Sequence, residues 1–230
     1  MADLTIDGLR AYLAQPERPA KSGVLMLPTI AGINAMAKRY CAWINTAGLT
    51  VLVWDPFSAF PNDLTPEQRG EVALNGQLKD AACRQEQVRF VSHMVENLGL
   101  DKVAVIGFCL GGRQAFSLAA VDHRLKACVA YHPSIRDPKP EHDLDAVALA
   151  GEIQCPVQVL YPGRDHITSR QSFDALRQAL ESRPAATVTH VYPGAVHGFM
   201  DEARQDDPGN AGATALSWPQ SAAFLSACLI

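Results

Sequence analysis

Val103-Ala104-Val105-Ile106-Gly107-Phe108-Cys109-Leu110-Gly111-Gly112 decides how the chain is read. Val103 to Ile106 is an unbroken apolar run rich in β-branched residues, the pattern of a strand buried on both faces. From Cys109 the pattern turns helical, with Leu110, Phe116, Leu118 and Ala119 among small residues and an end near Asp122. Between the two sits a thiol, with glycine two positions before it and two and three positions after it. This is the layout of a nucleophile elbow, a strand turning sharply into a helix with one side chain at the tip. Glycine is required where the backbone on either side of a strained tip passes close to its neighbours. The helix start aims free N–H groups and a positive dipole end at the tip, favouring a thiolate and a developing oxyanion. The alternative is a glycine-rich turn carrying a buried, inert cysteine.

Outward from this segment, short apolar strands alternate with helical stretches. Leu4 to Ile6 and Leu9 to Leu13 flank Asp7-Gly8, a hairpin turn that predicts an antiparallel edge. Gly23 to Leu27 and Leu49 to Trp54 are strands around a helix capped by Asn34 and stopped by Gly48. Phe57 to Leu74 reads as an irregular, site-shaping loop, and Gln77 to Leu98 as a long helix with Val88, Val91, Val95 and Leu98 on its apolar stripe. Beyond the elbow, strands are expected at Leu125 to Tyr131, Pro156 to Tyr161 and Thr187 to Tyr192. Helices are expected near Leu144 to Leu149, from a Ser169 cap to Glu181, and from Ala211 to Leu229 with a bend or restart at Pro219. Strands alternating with helices predict an α/β fold, a mostly parallel doubly wound sheet with an antiparallel N-terminal edge. Residues 1–230 read as one domain without repeat or linker.

Apolar residues make up 48% of the chain, enough for a large core, and the net charge of −4 gives no attraction to nucleic acid or an anionic membrane. No stretch approaches the roughly 18 apolar residues of a membrane span. Met1-Ala2-Asp3-Leu4-Thr5 has neither a basic nor an apolar signal region, so a cytoplasmic location is expected. The six cysteines are scattered without zinc spacing and read as reduced thiols.

In an open parallel sheet the residues just past the carboxyl ends of strands converge on one edge. Cys109, Asp165 and His197 hold such positions, in the order nucleophile, acid, histidine of the α/β-hydrolase fold. A thiol attacks well when an imidazole takes its proton, and the imidazole needs a carboxylate to fix its tautomer. Taken singly, Asp165 could be a turn carboxylate and His197 an ordinary histidine. Oxyanion donors are expected from the N–H of Leu110 and from the loop Pro28 to Asn34.

The chain resembles the dienelactone hydrolase (carboxymethylenebutenolidase) family over nearly its whole length. The likeness rests on Gly107-Phe108-Cys109-Leu110-Gly111-Gly112, Gly163-Arg164-Asp165-His166 and Gly194-Ala195-Val196-His197-Gly198-Phe199. Gly32-Ile33-Asn34 and Trp54-Asp55-Pro56 agree with it. The resemblance implies a cofactor-free, metal-free hydrolase with a Cys109–His197–Asp165 triad and an oxyanion hole from Leu110 and Ile30. Two positions depart from it. Thr29 stands where those enzymes carry a glutamate thought to help activate the thiol, and Asp201 where they carry an arginine that holds a substrate carboxylate. Arg69, Arg136 and Arg204 are the loop cations available to replace that arginine. The expected substrate-pocket residues are Thr29, Arg69, His132, Arg136, Phe199 and Asp201. The expected partner is a small ester or lactone, neutral in preference to acidic, and the protein is expected to be a monomer or homodimer. The competing reading is a non-catalytic relative that binds a small ligand or senses oxidants through Cys109.

Overall fold

The computed structural model describes residues 1–136 and 143–230. Eight strands form one sheet: β1 (Ala2–Ile6), β2 (Leu9–Ala14), β3 (Ser22–Leu27), β4 (Thr50–Trp54), β5 (Lys102–Phe108), β6 (Leu125–Tyr131), β7 (Val157–Arg164) and β8 (Thr187–Val196). Their order is β1-β2-β4-β3-β5-β6-β7-β8. β2 pairs antiparallel with both β1 and β4, and every other pairing is parallel. The α/β class and the antiparallel N-terminal edge follow the sequence pattern.

Helices cover both faces. α1 (Ala35–Thr46) and α7 (Pro208–Leu229) pack on one. On the other lie α2 (Pro66–Leu74), α3 (Asp80–Glu96), α4 (Leu110–Ala119), α5 (Ala146–Ala150) and α6 (Arg170–Glu181). Period-two alternation along β3 divides the core: Leu25 and Leu27 join the α3–α4 side, Val24 and Met26 the α1–α7 side. All four are fully buried, each stabilising the fold by roughly 1.5–3 kcal/mol. Central strands buried on both faces have no polar alternation, which is why they were readable as plain apolar runs.

Three elements differ from the sequence expectation. The stretch read as an irregular loop contains α2. Thr65 caps it with a complete capping box to Gln68, and Pro66 begins it. Only Val72 is buried in α2, so no apolar stripe announced it. α3 begins at Asp80 rather than Gln77, because its first N–H groups are capped from a distance: Asp143 accepts from the N–H of Asp80 and Ala81. Its buried face is Cys83, Gln87, Phe90, Val91 and Met94, while Val88 and Val95 are only partly buried. The buried Gln87 on this face donates from Nε2 to Gln114 Oε1 of α4 at 3.2 Å, while its own Oε1 has no partner among the described residues. Finally, α7 runs as one helix through Pro219, with no restart.

Candidate active site

The turn from β5 into α4 places Cys109 at φ 54° and ψ −110°, a left-handed backbone conformation that costs a non-glycine residue about 1–3 kcal/mol. Its surroundings hold it there. The Cys109 N–H donates to the Tyr131 carbonyl at 3.1 Å, and its carbonyl accepts from Ser134 at 3.0 Å and Arg113 at 3.1 Å. The flanking glycines are demanded by backbone contact. A Cβ on Gly107 would collide with the Gly111 carbonyl, and one on Gly111 with the Leu27 carbonyl. The first turn of α4 therefore sits directly on the ends of β3 and β5.

Asp165 follows β7 and His197 follows β8, neighbouring strands in the sheet. His197 Nδ1–H donates to Asp165, 2.9 Å from Oδ2 and 3.1 Å from Oδ1. The Asp165 carboxylate is buried and also accepts the N–H of Ile167 at 2.7 Å and Thr168 at 3.0 Å. These bonds fix the position of its two oxygens. The other ring nitrogen of His197, Nε2, is buried with no hydrogen-bond partner. Burial works to lower the pKa of His197, but the bond to Asp165 and the nearby Cys109 thiol outweigh it and raise the value to about 9. The Cys109 side chain is thus close enough to favour the imidazolium.

Cys109 and His197 open into a cavity of about 410 Å³. Of the other expected site residues, Thr29, Ile30, His132 and Asp201 line it as well. Leu110 is buried at the start of α4. Among the described residues, the N–H groups of Leu110 and Ile30 have no acceptor. The Gly111 N–H joins their two segments by donating to Pro28 at 3.1 Å. The Thr29 hydroxyl accepts from Ala31 at 3.1 Å, so this threonine folds its own loop.

Arg69 does not line the cavity. It reaches the other side of the Thr29–Asn34 loop, donates to the Ala31 carbonyl and packs over the Phe57 ring. There it borders a separate depression of about 480 Å³ whose charges pair with each other, Arg10 with Asp55 and Lys38 with Asp3. Phe199 is fully buried in the core beneath the site, 5.7 Å from the His132 ring, and does not line the cavity either. Arg136 is half-buried after β6 and is not among the lining residues; residues 137–142 lie outside the described residues. Arg204 does line the cavity, together with Asp201, whose carboxylate caps the short helical turn Glu202–Arg204.

Sequence reading missed Met36 and Tyr40 of α1, and His166 and Ile167 beside Asp165, as lining residues. The last two could have been found, since the neighbours of a loop carboxylate share its edge of the sheet. Tyr40 could not, because its position depends on how α1 packs. Its hydroxyl donates to the Met200 carbonyl at 3.2 Å, and burial pushes the phenol above its usual range.

A family model described as the dienelactone hydrolase family matches residues 9–229. Carboxymethylenebutenolidase 2 of Cupriavidus pinatubonensis is 27% identical over 209 residues, which is 90% of this chain and 86% of the relative. Carboxymethylenebutenolidase of Rhodococcus opacus is 26% identical over 208 residues, 87% of this chain and 79% of the relative. Among solved structures, a dienelactone hydrolase-like promiscuous phosphotriesterase from metagenomic libraries superposes with a TM-score of 0.78. It is 21% identical, with 99% of this chain and 97% of that chain covered, a likeness of fold. On the match of the family model over almost the entire chain, with the sheet order and the strand-end residues that accompany it, this protein belongs to the dienelactone hydrolase family of carboxylic ester hydrolases.

Proposed function

We propose that the protein hydrolyses small esters or lactones through an acyl-cysteine intermediate, with Cys109 as nucleophile, His197 as proton carrier and Asp165 as the group that orients it. One observation carries this reading. The Asp165–His197 bond leaves Nε2 of His197 unpaired beside Cys109, at the wall of one cavity. A histidine held protonated to about pH 9 next to a thiol favours a thiolate–imidazolium pair in the resting site.

The thiolate sulfur attacks the acyl carbon, and the carbonyl oxygen becomes an oxyanion facing the N–H groups of Leu110 and Ile30. Collapse breaks the acyl–oxygen bond, and Nε2–H of His197 gives its proton to the departing alkoxide. A thioester on Cys109 and a neutral imidazole remain. Water then attacks the thioester as Nε2 takes its proton, and collapse releases the acid and restores the charged pair. Asp165 holds Nδ1–H throughout. The cavity lining balances Asp201 against Arg204, which suits neutral substrates better than acidic ones.

The test is a stopped-flow assay with 4-nitrophenyl acetate. A nitrophenol burst stoichiometric with protein is expected, with an acetyl group on Cys109 in the quenched sample. Iodoacetamide should abolish both. Turnover that survives complete alkylation of Cys109 would overturn the assignment.

A further inference from the structure

One imidazole at the cavity wall has no task in this acyl transfer. His132 follows β6 and is 2% exposed, yet it lines the cavity. Its backbone adopts φ 34°, and its N–H donates to the Leu160 carbonyl at 2.8 Å. Phe108, Tyr131 and Phe199 surround the ring and set its orientation. Nδ1 is sealed from solvent and has no hydrogen-bond partner, which leaves Nε2 as the nitrogen open to the cavity. A buried polar side chain without a protein partner is rare, because leaving it unpaired is destabilising. Nδ1 stays sealed whatever binds, and Nε2, facing the cavity, is the nitrogen with which a ligand atom can pair.

The geometry points to His132 as the residue that selects the leaving group, donating from Nε2–H to an oxygen carried a short way beyond the scissile ester oxygen. This rests on the acyl-cysteine reading above. The sheet order supplies the direction. β3 and β6 flank β5 on opposite sides, so the oxyanion loop after β3 and His132 after β6 lie on opposite sides of Cys109. The acyl oxygen turns towards Ile30 and the leaving group towards His132. His197 must touch the leaving oxygen to protonate it, and its ring lies 4.8 Å from that of His132 in a T-shaped contact. An atom just past the leaving oxygen therefore comes within reach of His132. Burial, and then the neighbouring charge of His197, keep His132 neutral, so it carries one proton. Placing that proton on Nε2 leaves the sealed Nδ1 as an unfilled acceptor and avoids stranding a buried donor. The favoured substrates are esters and lactones of alcohols bearing a second oxygen.

The experiment compares kcat/KM for 2-methoxyethyl acetate and butyl acetate, which differ by one oxygen in place of a methylene. Each value is normalised to the alkaline hydrolysis rate of the same ester. The wild type should prefer the methoxy ester by roughly tenfold, the effect of one well-placed hydrogen bond. His132→Phe should bring the ratio to about one. His132→Asn, which accepts a positive φ and keeps an N–H donor, should retain part of the preference. His132→Met serves as the apolar replacement if the phenylalanine variant does not fold, since its flexible side chain fills irregular space. A phenyl acetate burst in every variant counts competent sites. Absence of a burst in the wild type would sink the acyl-cysteine reading itself. A full burst with a wild-type ratio near one, or a ratio unmoved by the apolar replacements, would overturn the role of His132 alone.

Discussion

At the scale of single residues, the site separates into side chains proposed to react and side chains that hold. Cys109 sits at an outward tip and adds little to the core, so Cys109→Ala should abolish turnover while leaving the thermal midpoint nearly unchanged, since alanine bears the same backbone strain. Asp165→Asn should slow kcat by on the order of 10²- to 10⁴-fold, since an amide cannot hold the imidazole in the same tautomer or stabilise its charge. The pH dependence follows from His197. Its pKa is raised on folding to about 9, so the charged imidazole stabilises the fold fully below about pH 6.5. That contribution is lost as pH rises through about 9. Above that point His197 has no proton for the leaving oxygen, so turnover should fall, whereas alkylation of Cys109 should not. Parallel pH profiles of turnover and iodoacetamide labelling check this; two curves that fall together above pH 9 would contradict it.

At the scale of elements, the sequence was most readable where a segment carries its own reason for its shape. β5, the elbow glycines and the Asn34 cap are local, and each formed where its residues demanded. The start of α3 was hidden because its cap, Asp143, lies far along the chain. α2 was hidden because its signal was a cap without an apolar face. For the same reason Arg69 looked like a substrate-binding cation, when its contact with the Ala31 carbonyl depends on where α2 lies. That contact gives α2 a consequence for rate. Arg69 holds the carbonyl next to Ile30 and so steadies the proposed oxyanion donor. Arg69→Ala should lower kcat by on the order of ten- to a hundredfold with little change in KM, because the donor matters most in the transition state. Arg69→Lys should recover part of the loss. A rise in KM with kcat intact would show instead that Arg69 meets the substrate.

At the scale of the whole molecule, three neighbouring or near-neighbouring strands deliver Cys109, Asp165 and His197 to one edge, although 32 residues separate the acid from the histidine. That convergence was legible because strand ends in a parallel sheet face one way, whatever lies between them. Which of the remaining loops meet there was not, since it depends on how α1, α2 and α7 settle against the sheet. The contact of α4 with the sheet has a further result. Its first turn touches the ends of β3 and β5 backbone to backbone, with no side chain between them to yield as the protein warms. At this seam no side-chain layer lies between α4 and the sheet to soften ahead of the rest. On heating, activity assayed at temperature and the circular dichroism signal should decline over the same few degrees, and a site that fails well before the sheet melts would show that the weak joint lies elsewhere. The proposed chemistry of Cys109 is thus tied to a seam of backbone against backbone, and the temperature at which activity stops should be set by the sheet itself.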